Sequence, residues 1–245
     1  FATYSEFANT LMEASEEEAI QTITRAIETG KIVLLFQAIV NHEKTPCYYE
    51  ALLRLECDQE LQSPKLFLKI AREKNLYDLL LRSITNHITT LLKQHPQMRI
   101  GINFSLEDIL NTERLTFLKQ ALAGYPVIFE IQADTPMLDP KILAIIETLK
   151  KDGFGVALDN VSETSLVETL KEGSVDYVKM HGDIIRNLLL NATAKEQCNT
   201  LLNHCHNKKL KTVATYINAQ STLEAVQALP FDLFQGYSFE QPHLL

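Results

Sequence analysis

The sequence predicts an α/β protein, a (β/α)8 barrel of the TIM type preceded by an N-terminal helix. Three observations support this fold class. Short apolar runs alternate with amphipathic segments of helical length, as strands and helices do around a parallel sheet. Most of these runs carry one polar group at or near the C-terminal end, the rim at which such barrels place their sites. The chain has 245 residues, a length typical of one such barrel in a single domain.

The bulk composition excludes several classes of protein. The chain is 46% hydrophobic and 22% charged, as expected of a globular domain with a large core. No apolar run reaches the roughly 18 residues of a membrane-spanning helix. The net charge of −8 argues against binding of a nucleic-acid polymer, although local cations or a metal could still hold a small anionic ligand. The four cysteines have neither zinc nor redox spacing, so we expect free thiols, as in the cytoplasm.

The N-terminal segment is predicted to be a leading helix or linker. Residues 4–29 are acidic, with apolar residues at loosely helical spacing, and Gly30 ends the helix. Because the chain begins with Phe1 and shows no signal peptide, we expect a fragment of a longer protein. The predicted domains are therefore 1–29, which leads from an upstream domain, and 30–245, which forms the barrel.

The first two strands are predicted at residues 32–40 and 48–55, with a polar turn between them. The second strand is apolar except for Glu50 and Arg54. A buried carboxylate or guanidinium costs several kcal/mol unless it is paired or bound. A carboxylate there suits a hard metal ion, and an arginine suits a phosphate oxygen. The alternative is a structural ion pair between the two side chains.

The remaining elements follow in regular alternation. Ser63 and Pro64 begin a helix, since a capping residue is followed by proline at the first helical position. The later predicted elements are a helix at 77–93, a strand ending at Asn103, short helices within 106–123, strands at 127–131, 154–159, 175–180, 210–215 and 231–235, and helices at 140–151, 163–171, 183–206 and 219–228. No glycine-rich phosphate fingerprint follows the first strand, which disfavours an open nucleotide-binding sheet.

Isolated polar residues recur at the ends of these strands. They are Asn103, Glu130, Asp159, Lys179 and Gln235. The C-terminal ends of parallel barrel strands meet at one rim, so these groups are predicted to form one site together with Glu50.

Several motifs resemble those of a known family. Glu50-Ala51-Leu52-Leu53-Arg54 is similar to the EAL signature of bacterial cyclic di-GMP phosphodiesterase domains. Other segments resemble further family motifs in the same order: Phe36-Gln37-Ala38-Ile39-Val40, Phe67 with Ile70-Ala71-Arg72-Glu73, Ile102-Asn103-Phe104-Ser105, Phe129-Glu130-Ile131, Val175-Asp176-Tyr177-Val178-Lys179, and Gln235-Gly236-Tyr237-Ser238-Phe239 with Pro242. The resemblance runs from about residue 30 to residue 245, and it implies a modified (β/α)8 barrel with one antiparallel strand.

The resemblance also implies a set of site residues. Active members of the family use two Mg²⁺ or Mn²⁺ ions to activate water for attack on a phosphodiester. The residues that align with the first metal position are Glu50, Asn103, Glu130 and Asp159. Lys179 aligns with the lysine near the attacking water, and it would be catalytic only in an active domain. The implied ligand-binding residues are Gln37, Leu53, Arg54, Asp159, Gln235, Gly236 and Pro242.

Departures from the family pattern concentrate at the second metal position. Asn160 stands where the family has a second aspartate, and His181, Thr215 and Asn218 replace further acids. The loop at 161–166 has no glycine, although the family's loop is glycine-rich. With Asp159 as the sole bridging acid, the repulsion between two divalent ions would go uncompensated. We therefore expect at most one Mg²⁺ or Mn²⁺, with the second metal site lost.

Two of these residues have alternative interpretations. Lys179 could neutralise the acids in place of a metal, which would make the cluster structural. Tyr216 stands where the family has glycine, so it is predicted to fill the ligand cleft; alternatively, its ring offers a face on which guanine could stack.

Three functions follow from the resemblance. The favoured one is a degenerate EAL domain that binds cyclic di-GMP without cleaving it, similar to LapD-type receptors. The second is a slow metal-dependent phosphodiesterase that releases pGpG, and the third is a ligand-free interaction scaffold. Predicted partners are an upstream sensory or GGDEF-like domain, another protein, or a second copy in a homodimer. The predicted location is the cytoplasm, including the cytoplasmic part of a membrane-anchored protein.

Overall fold

The computed structural model describes residues 16–57, 59–133, 138–190 and 192–245. The helices are α1 (Glu16–Glu28), α2 (Pro64–Glu73), α3 (Tyr77–Gln94), α4 (Leu106–Leu110), α5 (Thr112–Leu122), α6 (Pro140–Lys151), α7 (Thr164–Thr169), α8 (Gly182–Asn187), α9 (Ala192–Asn207) and α10 (Gln220–Gln227). The strands are β1 (Ile32–Val40), β2 (Pro46–Cys57), β3 (Glu60–Gln62), β4 (Ile100–Phe104), β5 (Val127–Gln132), β6 (Gly155–Val161), β7 (Tyr177–Met180), β8 (Lys211–Ala214) and β9 (Leu233–Phe234). None of these described helices combines the length and apolar character needed to cross a membrane.

Eight strands form the closed barrel that the sequence predicted. Their order is β1-β9-β8-β7-β6-β5-β4-β2, and pairing of β1 with β2 closes the circle. Within this order, all neighbouring strands from β9 round to β2 pair in parallel. In contrast, β1 runs antiparallel to β9, with Val40 opposite Phe234. The fold is therefore the α/β barrel with one antiparallel strand that the resemblance implied.

Two elements differ from the sequence prediction. β3 was not predicted, and it pairs antiparallel with the end of β2, as in Leu55 with Gln62. The single helix predicted at 183–206 is two helices, α8 and α9, with a turn at Leu188–190 after α8. This turn contains neither glycine nor proline, so the sequence carried no breaker signal there. The predicted helix at 4–29 begins outside the described residues, and its described part is α1.

The described chain divides into two compact units. The first contains residues 16–35 and Leu53–Thr90, and in it α1 packs against α2. The same unit holds the β2–β3 hairpin, where the Glu56 amide donates to the Lys31 carbonyl at 2.8 Å. The second unit contains Phe36–Leu52 and Leu91–Leu245, and most of the barrel lies in it.

A buried apolar cluster joins the barrel strands of the second unit. Its members come from seven strands: Ile39, Tyr48, Ile128, Ala157, Tyr177, Val213 and Leu233. The rings of Tyr48 and Tyr177 pack with their centroids 4.9 Å apart. Burial of such side chains is the main source of barrel stability, and it fixes the strands whose polar residues form the site.

Candidate functional site

A buried lysine lies at the centre of a cluster of acids within the second unit. The Lys179 Nζ atom is 2.7 Å from Glu50 Oε2 and 2.6 Å from Glu130 Oε2. Asp159 Oδ1 lies farther away, at 4.0 Å. The strands β2, β5, β6 and β7 each contribute one of these four charges. The structure thus brings together residues up to 129 positions apart, as the polar pattern at the strand ends predicted.

Three amide side chains complete the cluster. Gln235 Nε2 donates to Glu50 Oε2 at 2.7 Å and to Gln37 Oε1 at 3.1 Å. Asn103 Nδ2 donates to the other oxygen of Glu50 at 2.6 Å. Glu50 therefore accepts hydrogen bonds on both oxygens. Although burial by itself would raise the pKa of this carboxyl, the Lys179 charge and these hydrogen bonds hold it below the usual value.

Glu130 has a different environment from Glu50. It is fully buried, and burial raises its pKa to about 8; the Glu50 and Asp159 charges add to this rise, while Lys179 opposes it. Its Oε1 atom is buried and has no hydrogen-bond partner among the described residues. This carboxyl is therefore protonated at neutral pH unless a further cation approaches it.

Lys179 remains charged despite its burial. Desolvation by burial lowers the pKa of this ammonium, but the Glu130, Glu50 and Asp159 charges outweigh that effect and raise the pKa well above its usual value. The ammonium therefore acts as a built-in counter-ion for the acids. This is the arrangement that the sequence analysis gave as the alternative to a metal.

The acids and Asn103 have the chemistry of a site for a hard cation. Carboxylate and amide oxygens are the ligands that Mg²⁺ and Mn²⁺ prefer. Within the described ranges, no three His, Cys, Asp or Glu side chains are grouped as ligands of one metal ion. The unpartnered Glu130 Oε1 nevertheless provides a free lone pair. If an approaching cation ionised Glu130, three carboxylates and one ammonium would carry a net charge of −2. The residues therefore fit one divalent cation in charge and donor type, and not two.

Asn160 lies at an irregular point of β6. The register between β6 and β7 shifts between Leu158 and Val161, and Asn160 has a φ of 61°. Asparagine tolerates this left-handed conformation better than most residues. The side chain is neutral, so it adds no charge beside Asp159. Thr215, also at a position where the family has an acid, instead donates its hydroxyl to the Met180 carbonyl at 2.8 Å.

The other predicted ligand-binding residues lie on β2 and in the C-terminal segment. Leu53 and Arg54 continue β2 in the first unit, where Arg54 Nη1 donates to the Leu53 carbonyl at 2.7 Å. A Cβ atom at Gly236 would lie 2.3 Å from the Ile217 carbonyl oxygen, so this position requires glycine. Pro242 is half-buried, in the segment that contacts β1. Their ligand contacts stay predictions.

The sequence analysis missed two contributors to the site. The Glu240 carbonyl accepts from Gln37 Nε2 at 2.9 Å, and the Glu240 carboxylate accepts from the Ala38 amide at 3.1 Å. No local pattern could reveal a contact between residues 202 positions apart. Tyr48 was read only as part of a strand, yet its buried hydroxyl has no hydrogen-bond partner among the described residues.

Tyr216 does not fill the cleft as predicted. Its side chain is 57% exposed, and its backbone has a φ of 57°. A tyrosine in the left-handed region is strained. The ring packs at Gly182, where a Cβ atom would lie 2.7 Å from Tyr216 Cδ2. The absence of that Cβ lets the ring rest against α8 at the surface.

Comparison with known proteins decides the family. The sequence matches the EAL domain family over residues 20–242. The chain belongs to this family. The EAL match covers both the acid cluster and the C-terminal segment, so the order of motifs seen in the sequence extends over the whole barrel.

Curated relatives of this EAL domain are longer proteins. The chain is 26% identical over 235 residues to the cyclic di-GMP phosphodiesterase PdeF of Escherichia coli, with 91% of the chain and 31% of the relative covered. It is also 26% identical over 238 residues to the cyclic di-GMP phosphodiesterase PdeB of Shewanella oneidensis, with 91% of the chain and 28% of the relative covered. The chain thus spans about a third of the length of the curated relatives it matches.

Solved structures show the same fold. The FimX EAL domain from Pseudomonas aeruginosa, bound to c-di-GMP, matches with a TM-score of 0.79 at 23% identity, over 92% of this chain and 96% of that one. The Vibrio cholerae LapD S helix-GGDEF-EAL structure, also bound to c-di-GMP, matches with a TM-score of 0.79 at 16% identity, over 93% of this chain and 58% of that one. At these identities the likeness concerns the fold of the EAL domain.

Proposed function

We propose that this EAL domain binds cyclic di-GMP without cleaving it and serves as a receptor or regulatory module in second-messenger signalling. The observation that carries this proposal is the charge balance at the site: Lys179 pairs with Glu50 at 2.7 Å and Glu130 at 2.6 Å, and Asn160 adds no second acid beside Asp159. Two-metal hydrolysis needs enough negative charge to hold both ions. Lys179 aligns with a lysine that active members also have, so the acid missing at position 160 is what leaves too little charge for the second ion.

The second metal position supports the same conclusion. Asn160 brings no charge there, and the Thr215 hydroxyl is already bonded to the Met180 carbonyl. With nucleophile and leaving group no longer both stabilised, the rate of phosphodiester cleavage would fall by orders of magnitude. Under this proposal the barrel binds its ligand but does not hydrolyse it at a useful rate.

The proposed ligand follows from the family and from the amides in the site. FimX and LapD were solved bound to c-di-GMP, and the curated relatives carry the name cyclic di-GMP phosphodiesterase. Gln235 donates directly to Glu50 and also to the Gln37 side chain, so both amides lie in the site. Purine edges present donors and acceptors that such amides can pair with. We include Leu53, Arg54, Asp159, Gly236 and Pro242 in the proposed binding set.

One observation favours a slow phosphodiesterase as the second candidate. The buried Glu130 Oε1 atom lacks a partner among the described residues and could accept a cation. Glu50, Asn103, Glu130 and Asp159 would then hold a single Mg²⁺ or Mn²⁺. A bound divalent ion supplies Lewis-acid polarisation of a phosphate oxygen and lowers the pKa of water. In that case Lys179 would hold the ionised acids in place and orient them.

The test is calorimetric titration of the domain with cyclic di-GMP in EDTA, in Mg²⁺ and in Mn²⁺, followed by chromatography of each sample. Binding at micromolar concentration or tighter in EDTA, with intact nucleotide recovered from all three buffers, is the expected result. Appearance of linear pGpG would make the domain an enzyme. Absence of binding in every buffer would leave the ligand-free interaction scaffold as the remaining candidate function.

Arg54→Ala tests the phosphate contact within this proposal. A guanidinium that grips a ligand phosphate contributes a charge-assisted hydrogen bond, so this variant is expected to lose cyclic di-GMP binding. Arg25→Ala, an exposed arginine on α1, is the matched control and should bind like the wild type. Equal affinities of the two variants would remove Arg54 from the binding set.

Asn160→Asp tests why cleavage is absent. Aspartate also tolerates the left-handed backbone at this position, and it would restore the acid beside Asp159. We expect the variant to bind more Mn²⁺ than the wild type and to release some pGpG. A variant that binds no additional metal would show that the missing charge at position 160 does not explain the loss of the second metal ion.

The proposed context is a longer protein. The curated relatives extend well beyond the aligned region, so we propose that residues 1–29 lead from an upstream sensory or GGDEF-like domain to a barrel at 30–245. Ligand binding in the barrel would be signalled to that domain, to a partner protein, or to a second copy in a homodimer. The cytoplasm is the proposed location, because the proposed ligand, cyclic di-GMP, is an intracellular messenger.

A further inference from the structure

Tyr216 is an exposed aromatic ring on a strained backbone beside the candidate site. Its φ of 57° lies in the left-handed region, and its side chain is 57% exposed. Burial of the ring therefore stabilises the protein too little to offset the cost of this backbone conformation. Backbone strain of this kind concentrates at ligand-binding positions, where the surrounding structure enforces it.

The flanking residues enforce this conformation from two sides. On one side the buried Thr215 donates to the Met180 carbonyl at 2.8 Å. On the other side the Ile217 amide donates to the Gln235 carbonyl at 3.1 Å, and Gly236 packs directly against the Ile217 backbone. The ring is thus held at a defined place between the ends of β7 and β9.

Gly182 and Arg186 of α8 complete a small surface with Tyr216, which we call the rim ledge. A Cβ atom at Gly182 would lie 2.7 Å from Tyr216 Cδ2 and 3.1 Å from Arg186 Nη1. The guanidinium carbon of Arg186 lies 5.9 Å from the centroid of the Tyr216 ring. Glycine therefore permits both planar groups to rest on the same backbone.

The rim ledge offers planar surfaces more than charge. Arg186 forms an ion pair with Asp183 in the next turn of the same helix, so its positive charge is already matched. A phosphate would find no surplus cation there. The flat faces of a phenol and a guanidinium instead suit a nucleobase, which stacks on aromatic rings and on arginine.

The rim ledge is electrostatically continuous with the acid cluster. Partial burial raises the pKa of the Tyr216 hydroxyl, and the Asp159 and Glu50 charges raise it further. The neighbours of Tyr216 connect it to the cluster: the Ile217 amide is bonded to Gln235, and the Thr215 hydroxyl is bonded to Met180, the residue after Lys179. A nucleotide at the cluster would therefore have the rim ledge within reach of one of its bases.

We propose that the rim ledge of Tyr216, Gly182 and Arg186 stacks one purine base of cyclic di-GMP and contributes to the affinity of this domain for that ligand. This inference rests on the proposed function and adds a binding subsite to it. Base–aromatic stacking accounts for roughly a 10-fold or larger gain in affinity per base. A ring that merely plugged the cleft would be buried.

Tyr216→Trp gives a direct measurement of stacking. The chain has no tryptophan, so this variant carries a single indole reporter at the rim ledge. Titration with cyclic di-GMP is expected to quench its fluorescence along the same curve as the calorimetric binding. Tyr125→Trp, at the N-terminal end of β5, is the control, and its emission should stay constant.

Tyr216→Gly separates binding from stability. Glycine adopts a positive φ without strain, so the melting temperature should hold or rise, while the dissociation constant for cyclic di-GMP should increase about 10-fold or more. A structural role for the ring would lower the melting temperature and leave the affinity unchanged.

The outcomes distinguish the inference from the proposed function. Unquenched emission of Tyr216→Trp in the presence of bound ligand, or wild-type affinity of Tyr216→Gly, would overturn the rim ledge and leave the receptor proposal standing. Wild-type protein that fails to bind cyclic di-GMP at all would overturn both.

Discussion

Lys179 supplies inside the barrel the positive charge that a metal would otherwise supply. Glu50 and Glu130 would repel each other if both were ionised in this low-dielectric interior, which favours protonation of Glu130. The ammonium lies within hydrogen-bond distance of one oxygen of each. Two of its three donors are thus used by these carboxyl groups, and Asp159 lies farther away at 4.0 Å. The cost of burying each charge is thereby offset by the others.

Replacement of this lysine should destabilise the protein strongly. Lys179→Met keeps the approximate volume but leaves Glu50 and Glu130 buried without a counter-ion, which costs about 3–5 kcal/mol. Urea unfolding at neutral pH measures this loss, and added Mg²⁺ should recover part of it. Lys171→Met, which breaks an exposed pair with Glu147, is the control and should hardly change stability. Equal midpoints for the two variants would contradict the counter-ion role.

Glu130 gives metal-free protein a pH-dependent stability of definite sign. Its pKa is about 8 in the folded state against a usual value of 4.5. Between these values the folded state keeps a proton that the unfolded state has lost. The free energy of unfolding should therefore fall as pH rises through this window, by at most about 1.4 kcal/mol per pH unit. The Glu50 pKa lies below the window and the Lys179 pKa above it.

The variant Glu130→Gln isolates this contribution. Glutamine is neutral at every pH, so urea midpoints of the variant should vary less between pH 5 and pH 8 than those of the wild type. Glu147→Gln, at a partly exposed position on α6, is the control and should retain the wild-type slope. A slope that survives in Glu130→Gln would assign the titration to another group.

At the scale of elements, the register of parallel strands places the acids side by side. Asn103 on β4 is opposite Glu130 on β5, and Gln132 on β5 is opposite Asp159 on β6. The close approach depends on Gly101, because a Cβ atom there would lie 2.2 Å from Glu130 Oε1. The strand thus accommodates a buried carboxyl by omitting a side chain next to it.

Gly101→Ala tests this packing. The added methyl group would push the Glu130 carboxyl away from Lys179 and destabilise the protein by about 1–3 kcal/mol through overpacking. In a Glu130→Ala background the same change should cost much less, since the clashing atoms are gone. Thermal or urea unfolding of the four proteins gives the coupling. Additive effects would show that Gly101 serves some other contact.

At the scale of the whole molecule, the C-terminal segment joins the first barrel strand. Phe36 exchanges backbone hydrogen bonds with His243 at 2.7 and 3.0 Å. Glu240 holds both the Gln37 side chain and the Ala38 amide. The chain thereby fixes the antiparallel strand and one of the proposed ligand contacts together.

The barrel should accordingly stay folded when metals are removed. Because Lys179 neutralises the acids internally, dialysis against EDTA is expected to leave the melting temperature close to that of untreated protein. Mg²⁺ added afterwards should raise it only by mass action, in proportion to its affinity for the folded state. Differential scanning calorimetry measures both effects. Unfolding in EDTA would mean that a metal is an obligatory part of the core.

The sequence by itself determined the fold class and most of the candidate site. Strand–helix alternation predicted the barrel, and the single polar groups in apolar runs identified Glu50, Asn103, Glu130, Lys179 and Gln235, which the structure brings together. Periodicity reports such features because burial imposes a local pattern on each strand and helix. The resemblance supplied the ligand and metal roles, which remain proposals.

Only the tertiary structure decided how the charges are balanced and which surfaces are exposed. Four features have no local signature in the sequence. They are the pairing of Lys179 with the acids, the unpartnered Glu130 Oε1, the Glu240 contacts to β1 and the exposed Tyr216 on its strained backbone. Each depends on distances between residues far apart in the chain. Hydrogen bonding and Coulomb energy depend on such distances and on burial, and no spacing within the sequence records them.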